Sequence, residues 1–132
     1  VIYGIGIDIT DIARIEKAWK AHTSFIDMVL TPNERRKFAQ LSYRRKKEFL
    51  AGRFSAKESY GKALGTGIGK HASFHEIEIL NDEKTGKPQL TMQPVNDLIS
   101  HISISHTADL VMTEVILEYK NKPDMREDAD NG

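Results

Sequence analysis

The 132 residues carry 19 basic and 19 acidic side chains, nine glycines, no cysteine, and 39% apolar residues before the glycines are counted. That length supports one domain with a modest core, and the missing cysteines exclude a disulfide scaffold, a thiolate metal site and a thiol nucleophile. With no run of 18 apolar residues and charges from Asp8 onward, neither a membrane span nor a leader is expected, and a reducing cytoplasm fits. The neutral total hides an asymmetry. Residues 31–71 hold eleven Lys/Arg against three Glu, while residues 72–132 hold five basic against twelve acidic side chains. A basic middle suits an anionic partner, whether nucleic acid, an acidic protein or a polyphosphate ligand.

Val1 to Ile9 reads as a strand. Tyr3, Ile5, Ile7 and Ile9 share one face, and Gly4, Gly6 and Asp8 the other. Two glycines on one face leave room for a backbone or a ligand to approach. Asp8 is then either a plain turn acid or a carboxylate beside that open space. Thr10 or Asp11 caps a helix with Ile12, Ile15, Ala18 and Trp19 inward and Arg14, Lys17 and Lys20 outward. Phe25, Met28 and Val29 mark a second short segment, and Trp19 and the methionines are expected in the core. Thr31-Pro32-Asn33-Glu34 has the makings of a capping box with proline at the first helical position.

Ser42 caps a long helix from about Tyr43 to Leu64, which ends in the glycine run Gly65-Thr66-Gly67-Ile68-Gly69. Leu50, Phe54, Gly61 and Leu64 form its apolar stripe, widened by Phe49, Tyr60 and Ala63. Glu58 and Lys62 stack four residues apart on a polar stripe, where a solvated ion pair is the ordinary reading. Arg53 and Lys57 fall inside the apolar arc, so each must snorkel, find a partner or meet a ligand. The run Arg44-Arg45-Lys46-Lys47 at the positive end of the helix is either a solvated face or an anion site.

The second half reads as strands. Phe74 to Leu80 alternates, with Ile77 and Ile79 opposing Glu76 and Glu78, and Gln89 to Met92 pairs back across a turn at residues 81–88. Pro94 to Ile99 suggests a short helix. His101 to Ser105 and Val111 to Tyr119 alternate again. Residues 120–132 are polar and aperiodic, as in a disordered tail.

Familiar motifs fail on inspection. Gly65 to Lys70 is no Walker loop, since Leu64 and His71 stand where glycine and Ser/Thr are needed. Gly4-x-Gly6 lacks the third glycine of a dinucleotide fingerprint. The histidines have no zinc spacing, and no GxSxG elbow stands behind Ser103 or Ser105. Left over are Asp8, Glu58, Lys62 and a surplus of cations. Two carboxylates with open coordination positions suit Mg²⁺ on a phosphate ligand, and nearby Lys and Arg suit the phosphate oxygens.

Ile5-Gly6-Ile7-Asp8, followed by Phe54-Ser55-Ala56-Lys57-Glu58-Ser59-Tyr60-Gly61-Lys62, resembles the signature pair of the 4′-phosphopantetheinyl transferases, in their short single-domain form. Gly52-Arg53, Gly65-Thr66-Gly67, Gly86-Lys87-Pro88 and Ser103-Ile104-Ser105-His106-Thr107 follow in the expected order, and the resemblance covers residues 1–119. It implies transfer of the phosphopantetheine arm of coenzyme A to a serine of an apo acyl carrier protein, for fatty acid biosynthesis. On that resemblance Asp8 and Glu58 are the Mg²⁺ ligands, and Glu58 is the base. Lys62 holds the diphosphate, and Arg45, Arg53, Gly65, Pro88, His106 and Thr107 belong to the coenzyme site. Arg14 docks the carrier, and a homotrimer with sites between subunits is implied.

The fold expected is α/β of the α+β kind, a mostly antiparallel sheet packed on the long helix, with one domain over residues 1–119. Two other readings stay open at this point. One is a nucleic-acid-binding module using residues 31–71, although that stretch lacks interleaved exposed aromatics. The other is an inactive homologue that only binds carrier proteins. No membrane partner is expected.

Overall fold

A 22-residue helix runs through the centre of the computed structural model, which describes residues 1–69 and 73–120. This helix, α4 (Tyr43–Leu64), starts where Ser42 Oγ accepts the amide of Arg45. It stops at Gly65, whose φ of 91° is the left-handed cap that glycine adopts without a Cβ penalty. Ahead of it come β1 (Ile2–Asp11), α1 (Ile12–Ala21), α2 (Ser24–Val29) and α3 (Pro32–Ala39). Behind it come a 3₁₀ turn (Phe74–Glu76), β2 (Glu78–Asn81), β3 (Pro88–Met92), β4 (Leu98–His106) and β5 (Leu110–Tyr119). Strands β1, β5 and β4 form one antiparallel sheet with β5 in the middle, and β2 and β3 form a separate antiparallel hairpin.

The glycines of β1 decide how the helix meets the sheet. A Cβ on Gly6 would lie 1.9 Å from the carbonyl oxygen of Ser59, and one on Gly4 1.9 Å from that of Ala63. The bare face of the strand is therefore filled by the backbone of α4, and Asp8 enters the interior beside it. Ile5, Ile7 and Ile9 consequently point away from α4 and are 50–62% exposed. Met112 of β5, opposite Ile9, lies on the same outer face.

Two apolar clusters hold α4 in place. Ala56, Tyr60, Ala63 and Leu64 pack on Ile77, Ile79, Leu98, Val115 and Leu117, and Leu50 and Ala51 pack on Ile12, Ile15, Val29, Leu30, Phe38 and Val111. Each large side chain buried in this way contributes about 1.5–3 kcal/mol. Lys57 shares the interior and is fully buried. Its ammonium donates to Glu34 at 2.6 Å, to the Val29 carbonyl at 2.7 Å and to the Phe74 carbonyl at 2.9 Å. Glu34, the acidic partner of Thr31 in the capping box that opens α3, also accepts the amides of Thr31 and Ile79 at 2.8 Å. One carboxylate thus caps the start of a helix, neutralises a buried cation and pins β2.

Several expectations are corrected. The strand expected over Phe74 to Leu80 begins only at Glu78, after a 3₁₀ turn. Glu78 is buried rather than solvent-facing, because Thr31 and Thr91 donate to it at 2.5 and 2.7 Å. Pro94 to Asp97 is irregular and Leu98 already opens β4, so no helix forms there. Met28, Met92 and Met112 are 41–52% exposed and outside the core, whereas Trp19 packs against its rim. Apart from Lys120, whose amide donates to the Asp97 carbonyl, the tail expected at 120–132 lies outside the described residues. Lys70 and His71, the end of the basic stretch, lie outside them too. Among the described residues no helix is long and apolar enough to cross a membrane.

Candidate active site

The strand–helix contact that the glycines permit also brings the predicted acids together. Asp8 follows Gly4 and Gly6 on the inner face of β1, opposite Thr113 of β5, where α4 passes with Ser55, Glu58 and Lys62. Asp8 Oδ2 accepts hydrogen bonds from Thr10 at 2.6 Å and Ser55 at 2.7 Å. Asp8 Oδ1 lies 3.3 Å from Lys62 Nζ, which also donates to the Ile7 carbonyl at 2.9 Å. Among the described residues Lys62 thus makes its ion pair across to β1 and not along its own helix to Glu58, so the solvated i,i+4 pair is not what forms. Glu58 lies one turn before Lys62, half-buried.

The two carboxyls are driven apart. Burial would raise the Asp8 carboxyl, but hydrogen bonds from Thr10, Ser55 and Lys62 bring it below the ordinary range. Burial raises Glu58, and the negative charge of Asp8 raises it further, against the opposing pull of Lys62 and Arg14. One carboxyl is thereby held as a firm anion while its neighbour becomes the better proton acceptor, a division of labour typical of acid–base sites. The charges of Lys62 and of Arg14 on α1 both reach Glu58.

This donor set also fits Mg²⁺. Two hard carboxylates that repel one another gain from a dication between them. Among the described residues no group of three or more His, Cys, Asp or Glu side chains could hold a metal. An ion at Asp8 and Glu58 would therefore take its other ligands from water and from a phosphate-bearing molecule, which is the usual habit of Mg²⁺.

A second feature occupies the other side of α4. A cleft of about 690 Å³ is lined by Arg45, Arg53, Asn81, Pro88 and His106, with Lys37 and three acidic side chains around it. Arg53 is only 4% exposed, and burial brings its pKa down to about 10, which leaves it charged at neutral pH. Its guanidinium donates to the Ile79 carbonyl at 2.9 Å and to Asn81 Oδ1 at 2.6 Å, and lies 4.2 Å from the Phe49 ring centre. Glu34 acts on it only through its field, being paired with Lys57.

The expected coenzyme-binding residues are therefore divided within one chain. Arg45, Arg53, Pro88 and His106 line the cleft, whereas Lys62 and Gly65 stand at the C-terminal end of α4. Seventeen residues of helix separate Arg45 from Lys62, roughly 25 Å, and nine residues put Arg53 and Lys62 on opposite sides of it. Thr107 is committed elsewhere. Its hydroxyl accepts the amides of Asp109 and Leu110 at 3.2 and 3.0 Å and shapes the β4–β5 turn. Thr10, Ser55, Thr113 and Asn81 gain functional surroundings that the sequence reading gave them no part in. The one signal was that Ser55, Ser59 and Lys62 share a stripe of α4 at i, i+4 and i+7.

A carboxylate pair beside a lysine and an arginine-lined cleft stand on this α+β frame, and comparison with known proteins gives the class. The model of the 4′-phosphopantetheinyl transferase superfamily matches residues 4–115, and the chain belongs to that family. More particularly, it is 56% identical over 122 residues to the holo-[acyl-carrier-protein] synthase of Limosilactobacillus reuteri (strain DSM 20016), covering 92% of this chain and 100% of that protein. The enzyme of the same name from Geobacillus sp. (strain WCH70) is 52% identical, over 89% of this chain and 98% of its own length. Among solved structures, the holo-(acyl-carrier-protein) synthase of Bacillus anthracis in complex with CoA (3′,5′-ADP) superimposes with a TM-score of 0.82 at 47% identity, covering 89% of this chain and 97% of that one. The Helicobacter pylori enzyme in complex with coenzyme A gives 0.76 at 35% identity, covering 86% and 99%.

Proposed function

We propose that this chain transfers the 4′-phosphopantetheine arm of coenzyme A to a serine of an apo acyl carrier protein, in the cytoplasm and in support of fatty acid biosynthesis. The observation that carries the reading is the convergence of Asp8, Glu58 and Lys62, two carboxyls of opposed proton affinity beside a cation. In the reaction the serine oxygen bonds to the phosphorus that bears pantetheine. The bond from that phosphorus to the bridging oxygen breaks, and adenosine 3′,5′-bisphosphate leaves. Glu58 takes the serine proton, directly or through a water, as its raised proton affinity suits. Lys62 offsets the charge that grows on the leaving phosphate. Asp8 and Glu58 are the residues that would hold Mg²⁺, which when bound neutralises the diphosphate. Arg14, exposed on α1, faces the acidic carrier. The cleft around Arg45, Arg53, Pro88 and His106 takes the 3′-phosphate end of the coenzyme, while Gly65 ends α4 beside Lys62 and Thr107 shapes the β4–β5 turn next to His106.

The division of these residues favours a homotrimer in which the carboxylates of one copy meet the cleft of the next. The exposed Ile5, Ile7, Ile9 and Met112 support it, since a contiguous apolar face of this kind marks an interaction surface. The test is mass spectrometry of an apo carrier protein incubated with coenzyme A, Mg²⁺ and this chain. A gain equal to the phosphopantetheine arm on one serine is expected, and an unmodified carrier overturns the reading. Light scattering should give the mass of three chains, and a monomer that remains active contradicts the shared site.

A further inference from the structure

A file of buried hydroxyls runs from the interior to Asp8. Ser59 Oγ lies 2.7 Å from Thr113 Oγ1, Thr113 Oγ1 lies 2.9 Å from Ser55 Oγ, and Ser55 Oγ lies 2.7 Å from Asp8 Oδ2. All three hydroxyl residues are at most 1% exposed. Each hydroxyl owns one proton, and an ionised carboxylate can only accept. The proton of Ser55 is therefore spent on Asp8 and Thr113 donates to Ser55, while the one proton of Ser59 is shared between Thr113 Oγ1 at 2.7 Å and the Thr113 carbonyl at 3.2 Å. The Thr113 and Ser55 dipoles thus point at Asp8, and each bond polarises the next.

Thr10 reaches the same oxygen at 2.6 Å from within β1. Two short O–H···O⁻ bonds of the charge-assisted kind thus saturate Oδ2 and fix the plane of the carboxylate. Oδ1 is left facing Lys62 Nζ at 3.3 Å. Plain helix–sheet cohesion would need only that these hydroxyls be satisfied. It would not need Thr10 and Ser55 both directed to one oxygen of the one acid on the strand's inner face, with Thr113 behind Ser55.

We propose that Ser55, backed by Thr113 and Ser59, is a positioning residue that presents Asp8 to a divalent cation through Oδ1 alone. The proposal deepens the reading given above and rests on Asp8 being a metal ligand. Partners behind a ligand orient it, and their loss typically weakens metal binding by roughly 10–100-fold.

The experiment measures Mn²⁺ binding to the full chain with coenzyme A present, from the electron paramagnetic resonance of free Mn²⁺. Ser55→Ala should weaken binding roughly tenfold, and Thr113→Val, which keeps the volume, should weaken it less. Thr113→Ser, which restores the hydroxyl, should bind as the parent does. Coenzyme A affinity in EDTA should not change in any of them, a result that loss of fold would not give. Parental Mn²⁺ affinity in Ser55→Ala overturns the positioning role. Should that variant not fold, parental affinity in Thr113→Val overturns it instead. The underlying reading fails separately, if Asp8→Asn binds Mn²⁺ as tightly as the parent.

Discussion

Neighbouring residues of α4 show two opposite uses of charge. Lys57 is sealed in the core and its ammonium has three partners, one of them a carboxylate that is itself fully engaged. Glu58, the next residue, is half-buried, is raised by burial and by Asp8, and meets the open side of the site with Lys62. The first arrangement is closed, because every valence is answered inside the chain. The second is left out of balance, an imbalance that the proposed dication and diphosphate would relieve. A buried charge is thus informative only once its partners are counted.

The contrast can be broken from the closed side first. Lys57→Met leaves Glu34 buried without its cation and should cost about 3–5 kcal/mol, read as a lower urea midpoint. A stability within about 0.5 kcal/mol of the parent would mean the pair is not structural. On the open side, Lys62→Ala should lower the transfer rate roughly 100-fold with less effect on coenzyme affinity, as the role proposed for it at the leaving phosphate requires. A change in KM alone would make it a binding residue. Gly6→Ala forces a methyl onto the Ser59 carbonyl and should cost about 1–3 kcal/mol. It should also lower transfer, because Asp8 sits two residues on. Parental stability and rate would refute the close approach.

The smallest effect concerns acid. Burial pushes the Glu78 carboxyl up, but Thr31, Thr91, Asn33 and the charge of Lys57 hold it below the ordinary value of 4.5. Its stabilisation is present above that value and is lost as pH falls through the lower folded value. Urea melts below pH 5 should therefore fall less steeply for Glu78→Gln than for the parent. Parallel curves would show that Glu78 is not linked to folding.

Local chemistry was legible in the residues themselves. The capping box at Thr31, the Ser42 cap, the span of α4 and its glycine stop depend on neighbours in sequence, and all stand as read. The bare face of β1 was also readable, though not that a helix backbone would fill it and turn Ile5, Ile7 and Ile9 outward. Glu34 looked like a cap and no more, because its partners Lys57 and Ile79 lie 23 and 45 residues away. Glu78 misled in the same way, since alternation marks a face but not whether hydroxyls wait there. In the site, ordered motifs brought Asp8, Glu58 and Lys62 to attention, whereas Ser55 and Thr113 act through contacts 47 and 58 residues long. The separation of Arg45 and Arg53 from Lys62 follows from the length and periodicity of α4 and was open to arithmetic from the start.

Single-turnover transfer to an apo carrier by Glu58→Gln, at saturating coenzyme A and Mg²⁺, tests the central claim most directly. The substitution keeps the shape and removes the charge, so the urea midpoint should hold while the rate falls roughly 10²–10⁴-fold. A rate within about threefold of the parent would remove this carboxylate from the chemistry, and with it the account of the pair.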